Sequence, residues 1–91
     1  MNICIIDGNK ISDRELLHTI LAQSLNFPEW YGKNLDALYD CLTDIQEETE
    51  IQLINEKSLT DHLGNYARGF FKVLIQASQI NSKIHWKIYD S

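Results

Sequence analysis

Three short apolar runs, at 3–6, 51–54 and 84–88, are separated twice by stretches of helical periodicity. That alternation restricts the fold more than any other feature. A strand, two helices, a strand, two helices and a strand need crossover connections, and crossovers imply a parallel sheet. The first run, Ile3-Cys4-Ile5-Ile6, is apolar throughout. Such runs suit a strand covered on both faces, so it is expected in the middle of the sheet, giving spatial order 2-1-3. The last alternates Ile84, Trp86 and Ile88 with His85, Lys87 and Tyr89, as a half-buried edge strand does. The fold class is therefore α/β: a three-stranded parallel sheet packed by about four helices, in one domain over 1–91.

The helix boundaries follow from local chemistry. Ser12 and Glu15 have the spacing of a capping box, with a helix expected over about 13–25 and ended by Pro28. Asn34 is placed to cap a second helix ending near Thr43 or Asp44. Ser58 would cap a third, Gly64 would end it, and Asn65 would cap a fourth. In that fourth helix Tyr66, Phe70, Val73, Leu74, Ala77 and Asn81 make one stripe, widened by Phe71, Ile75 and Ile80.

The second helix is the unusual one. Leu35, Leu38 and Leu42, with Cys41 beside them, form an inward stripe. Asp36, Tyr39, Asp40 and Thr43 fall on the opposite side. Carboxylates four residues apart repel by a few tenths of a kcal/mol, and Asp is a poor helix-interior residue. Asp36 lies in the first turn, where the helix dipole favours an anion; Asp40 lies further in. The loop before the helix carries the only Pro, at 28, followed by Glu29-Trp30-Tyr31-Gly32. A solvated polar face is the plain reading of these acids, but Trp and Tyr beside them are residues that anchor interfaces.

Charge is concentrated in the same region. Residues 29–50 hold seven of the thirteen acids and one of the eight bases, a net of −6 in a chain whose total is −5. Such a patch repels nucleic-acid phosphates and favours a basic partner or a metal. No apolar run approaches the ~20 residues that span a bilayer, and 1–8 lacks the pattern of a secretory leader. A cytoplasmic protein with no membrane association is expected. Cys4 and Cys41 sit in apolar phase, without the spacing of a zinc site or a disulfide framework.

Catalytic signatures are sparse. His18, His62 and His85 lie far apart, each without metal-ligand spacing, and read as surface or half-buried structural residues. No phosphate-binding glycine loop, HExxH or GxSxG occurs. Asp36 and Asp40 on a convex face do not enclose a substrate as a glycosidase pair must, and they lack the carbonyl-rich loop of a calcium site. Neither enzyme nor cofactor is expected.

The run 28–43, Pro-Glu-Trp-Tyr-Gly-Lys-Asn-Leu-Asp-Ala-Leu-Tyr-Asp-Cys-Leu-Thr, resembles the signature of the barstar family of ribonuclease inhibitors. That pattern is Pro, Glu, two aromatics, Gly, any residue, Asn-Leu-Asp-Ala-Leu, an aromatic and Asp-Cys-Leu-Thr. The resemblance implies a three-stranded parallel sheet with helices. It also implies a partner: a basic ribonuclease, bound and blocked at its active site by a protein that is monomeric when free and forms a one-to-one complex. Carried over by position, Asp40 is the carboxylate that enters the phosphate pocket, flanked by Asp36 and Thr43. Tyr31, Gly32 and Asn34 shape the loop side, and Trp30 and Tyr39 pack at the edges. After Thr43 the best-known member of the family has Gly and then Trp where this chain has Asp44 and Ile45, so Asp44 adds a charge to the expected contact. An acid of the last long helix has its nearest counterpart in Gln76. These departures leave open a binding module of the same fold with a different basic partner.

Overall fold

In a computed structural model that describes residues 1–89, each apolar run is a strand: β1 (Asn2–Asp7), β2 (Thr49–Ile54) and β3 (Ile84–Tyr89). All pair in parallel, and β2 lies between the other two. The expected order 2-1-3 is thus corrected to 1-2-3. Two right-handed crossovers that step in the same direction place all their helices on one side of a sheet, whereas order 2-1-3 would have put them on both. The register shows the consequence. Cys4, Ile51 and Trp86 lie side by side facing the helices, while Ile5, Gln52 and Lys87 face the other way. Ile3 and Ile5 are each 53% exposed. An unbroken apolar run therefore did not mean a central strand, because one face of this sheet is open. β3 is an edge strand as its alternation predicts.

Four helices cover the other face: α1 (Arg14–Leu25), α2 (Leu35–Thr43), α3 (Glu56–Leu63) and α4 (Asn65–Ile80). The core is one cluster containing Cys4 and Ile6 of β1, Ile51 and Leu53 of β2, and Leu17, Leu38, Leu42, Phe70 and Leu74 of the helices.

Three of the four expected caps move. Asp13, not Ser12, caps α1, its Oδ1 accepting the Leu16 N–H at 2.8 Å; a carboxylate gains more than a hydroxyl at the positive end of a helix. α3 starts earlier than Ser58, directly from a left-handed Asn55 (φ 54°) whose side chain donates to Asp7 Oδ1 at 2.7 Å. α4 starts from Gly64, whose φ of 59° allows the sharp turn out of α3, and Asn65 is its first residue rather than its cap. The buried stripe of α4 is narrower than its periodicity suggests: Ala67, Phe70, Leu74 and Ala77 are buried, and Ile75 and Ile80 are exposed. No described helix is long and apolar enough to cross a membrane.

Candidate functional site

α2 is held at both ends and along its inner side. At its start Asn34 Oδ1 accepts the Ala37 N–H at 2.8 Å, as expected of a cap, and Asn34 Nδ2 reaches back to the Gly32 carbonyl at 3.3 Å. Leu38 and Leu42 are fully buried. Leu35 meets α4 at Gly69, where a Cβ would come within 2.8 Å of Leu35 Cδ1, so a larger residue there requires the Leu35 side chain to shift.

The far end is secured by a residue that periodicity assigned only to the tail of a stripe. Asn81, buried just after α4, donates from Nδ2 to the carbonyls of Leu42 (2.9 Å), Thr43 (3.3 Å) and Ile45 (2.8 Å). The last carbonyls of a helix have no partner within it, so this one amide closes α2 from outside. Its signal was visible: a polar side chain in the apolar phase of α4, four positions after Ala77. Asn81→Ala should destabilise the fold by about 1–3 kcal/mol through those orphaned carbonyls, measured by urea denaturation. Asn81→Asp, which keeps the shape but presents an acceptor to acceptors, should do no better.

With its inner side fixed, α2 displays the opposite one. Asp36, Asp40 and Asp44 are exposed and Tyr39 and Thr43 half-buried. Among the described residues the three carboxylates form no ion pair; the pairs present join Glu48 to Lys83 (3.7 Å) and to His85 (2.6 Å). Thr43 turns its hydroxyl onto its own helix, donating to the Asp40 carbonyl at 3.0 Å. Asp44 is the C-cap residue of α2, where the negative end of the dipole disfavours an acid by about 0.3–1 kcal/mol.

Beside these acids a cleft of about 460 Å³ is lined by Trp30, Tyr31, Gly32, Ala37, Asp40, Cys41, Thr43 and Asp44. Trp30 stands at 82% exposure, a large apolar surface with no structural use in the fold. Tyr31 is different from what its place in the motif suggests. At 7% exposure it belongs to the core, its ring 4.9 Å from that of Phe27, and it forms the floor of the cleft rather than its rim. Its hydroxyl lies 2.6 Å from His18 Nδ1, and His18 Nε2 lies 2.6 Å from the Tyr66 hydroxyl. This Tyr–His–Tyr link joins the loop before α2 to α1 and α4. Burial pushes the Tyr31 hydroxyl pKa up and the His18 pKa down, so both stay neutral. Burial, then Asp44 and Asp40, raise the Cys41 thiol, so it remains protonated beneath the acids.

The other histidines are accounted for structurally. His62 Nδ1 lies within 3.1 Å of the Gly8 and 2.9 Å of the Ile11 carbonyls, and His85 pairs with Glu48. No group of three His, Cys, Asp or Glu among the described residues is arranged to hold a metal. Gln76 is exposed on α4, and Ile45 packs partly buried against the core.

Fold and face together define a class: a small α/β domain, sheet covered on one side, that displays an acidic helix beside an aromatic loop. The chain belongs to the barstar family. The family model described as Barstar (barnase inhibitor) matches residues 1–88. The chain is also 40% identical over 89 residues, 97% of each sequence, to the "Putative ribonuclease inhibitor YrdF" of Bacillus subtilis (strain 168). The likeness first legible in 28–43 therefore extends over nearly the whole chain.

Proposed function

We propose that this protein inhibits a basic ribonuclease by seating the exposed face of α2 in the enzyme's active site, with Asp40 as the central group and Asp36, Asp44, Thr43, Trp30 and Tyr39 around it. One observation carries this reading. Asp36 and Asp40 are exposed without an ion-pair partner among the described residues, on a helix whose inner side, ends and approach loop are all fixed. A ribonuclease arranges cationic donors around a scissile phosphate, and a carboxylate satisfies the same donors through short charge-assisted bonds. Preformed geometry keeps the ordering cost of association low. The protein is thus a binding protein rather than an enzyme, acting in the cytoplasm as a one-to-one plug that needs neither cofactor nor nucleic acid.

The acidic hemisphere adds association rate more than affinity. Its acids are not equivalent, however. Glu48 is engaged by Lys83 and His85, whereas the Glu47 carboxylate pairs with no described cation, accepting from the neutral amide of Asn2 at 2.9 Å, and keeps its charge for steering. Glu47→Gln should slow association by roughly twofold at low salt and leave dissociation unchanged.

The deciding experiment is inhibition of barnase, the enzyme in the family's description, and of a panel of basic microbial ribonucleases. Each is tested at low and at high salt. Tight, salt-sensitive inhibition of at least one supports the proposal, and inhibition of none refutes it. The second reading, a non-ribonuclease basic partner, is favoured by Asp44: it changes the rim charge of the cleft without serving the fold.

A further inference from the structure

We infer that the inhibitory face is bipolar, and that a second pocket, beside the start of α2, receives a carboxylate side chain of the partner protein. This deepens the reading of α2 as an inhibitory face and rests on it. The pocket, of about 390 Å³, is lined by Arg14, Lys33, Asn34, Leu35, Asp36 and Tyr66. It shares no lining residue with the acidic cleft, although the two adjoin along one loop and helix: Gly32 belongs to the cleft and Lys33 to the pocket.

Its two cations, Arg14 and Lys33, are unpaired among the described residues, in a protein where acids outnumber bases by thirteen to eight. The Arg14 guanidinium lies over the Tyr66 ring, 5.5 Å from its centroid, and Tyr66 is itself held by His18. Lys33 sits at φ 52°, a backbone conformation that few residues other than glycine adopt and that fixes where its side chain departs. Arg14 and Lys33 thus come from two elements, α1 and the loop before α2, to line one pocket.

An anion is the complement of two cations lining one pocket, and Asp36 on the same wall selects its kind. A phosphate or an RNA backbone would bring more negative charge beside Asp36 and the acidic hemisphere. A single carboxylate, neighboured on the partner by a base that takes Asp36, suits the mixture. The target would then present a basic centre flanked by an acid, and targets with reversed polarity at that flank would be rejected by like-charge contact.

The test turns on a sign. If the protein were only an acidic plug for a basic cleft, Lys33→Glu would make it more acidic and would tighten binding. The assignment predicts the reverse: against a ribonuclease of the panel that the wild-type protein inhibits, Lys33→Glu and Arg14→Gln weaken binding roughly tenfold or more, mainly by faster dissociation. Lys57→Glu, an equal charge change on α3 outside the pocket, leaves binding unchanged or tighter. Restoration of the Lys33→Glu complex by changing the facing Asp or Glu of the enzyme to Lys identifies the carboxylate. Unchanged or tighter binding by Lys33→Glu overturns the inference and leaves the inhibitory reading intact. Failure of the wild-type protein to inhibit any enzyme of the panel removes both. Saturable NMR shifts of Lys33 and Tyr66 on titration of the free protein with inorganic phosphate would reassign the pocket to phosphate and also overturn it.

Discussion

Asp40→Ala is expected to weaken the complex with the target ribonuclease by about 2–5 kcal/mol, the range for removing one member of a desolvated interfacial charge pair. Most of the loss should appear as faster dissociation, because the enzyme's cations are left buried without the anion they gripped. The free protein should respond in the opposite sense. Asp40 lies between Asp36 and Asp44, one turn away on each side, and no described cation pairs with it. Alanine removes two like-charge repulsions of a few tenths of a kcal/mol each and a poor helix former. The variant should therefore unfold at a urea concentration equal to or higher than the wild type, by up to about 1 kcal/mol in stability. Asp36→Ala should show the same sign in binding with a smaller loss, since Asp36 is stabilised where it stands by the start of the helix. Stopped-flow kinetics and denaturation on the same preparations measure both. Equal small losses from Asp40→Ala and Glu47→Gln would reject a central role for Asp40. A destabilised Asp40→Ala would show that the acid serves the fold.

What the sequence made legible divides along a physical line. Element type and order came through because they rest on short-range periodicity: the β-α-α-β-α-α-β alternation, the alternating edge strand β3, and the two-sided character of α2 with Asn34 as its cap are present as read. Strand order did not, since it depends on which faces of a sheet the crossovers cover. Ile3 and Ile5 look the same in a sequence whether a helix lies over them or water does. Caps shifted for a related reason. Ser12, Ser58 and Asn65 each have the right chemistry, but Asp13, Asn55 and Gly64 occupy the positions where the backbone actually turns. For the candidate site, the exposure of Asp36, Asp40 and Trp30 was legible from phase and motif. The parts that hold them still were not. Asn81 reaches α2 from 36 or more positions away in the chain, and His18 meets Tyr66 across 48. No window of local pattern contains such pairs, although at Asn81 a polar residue in an apolar phase marks the place.

His18 yields the second large effect. The ring is completely buried, with 2.6 Å contacts to the Tyr31 and Tyr66 hydroxyls. A neutral imidazole donates through one nitrogen and accepts through the other, so one hydroxyl donates to the ring and the other receives from it. His18→Ala leaves a cavity and strands the hydroxyl of Tyr31 in the core. Those two costs together predict a loss of about 3 kcal/mol or more. Because Tyr31 is the floor of the cleft and the anchor of the loop that carries Trp30, inhibition should weaken as well, even though His18 touches no partner. His18→Gln, which retains a donor and an acceptor, should recover part of both. The same ring contributes to the loss of stability in acid. Its pKa is lowered from 6.5 by burial and by Arg14 and Lys33. The unfolded chain therefore binds a proton that the folded one refuses. Stability is full above the unfolded value, falls as the pH drops below about 6.5 with a limiting slope near 1.4 kcal/mol per pH unit, and levels off for this group only below its folded pKa. In His18→Gln that portion of the slope should vanish. Urea titrations at a series of pH values on the two proteins measure it directly, and an identical acid slope in both would show that protons entering elsewhere, and not at this ring, unfold the protein.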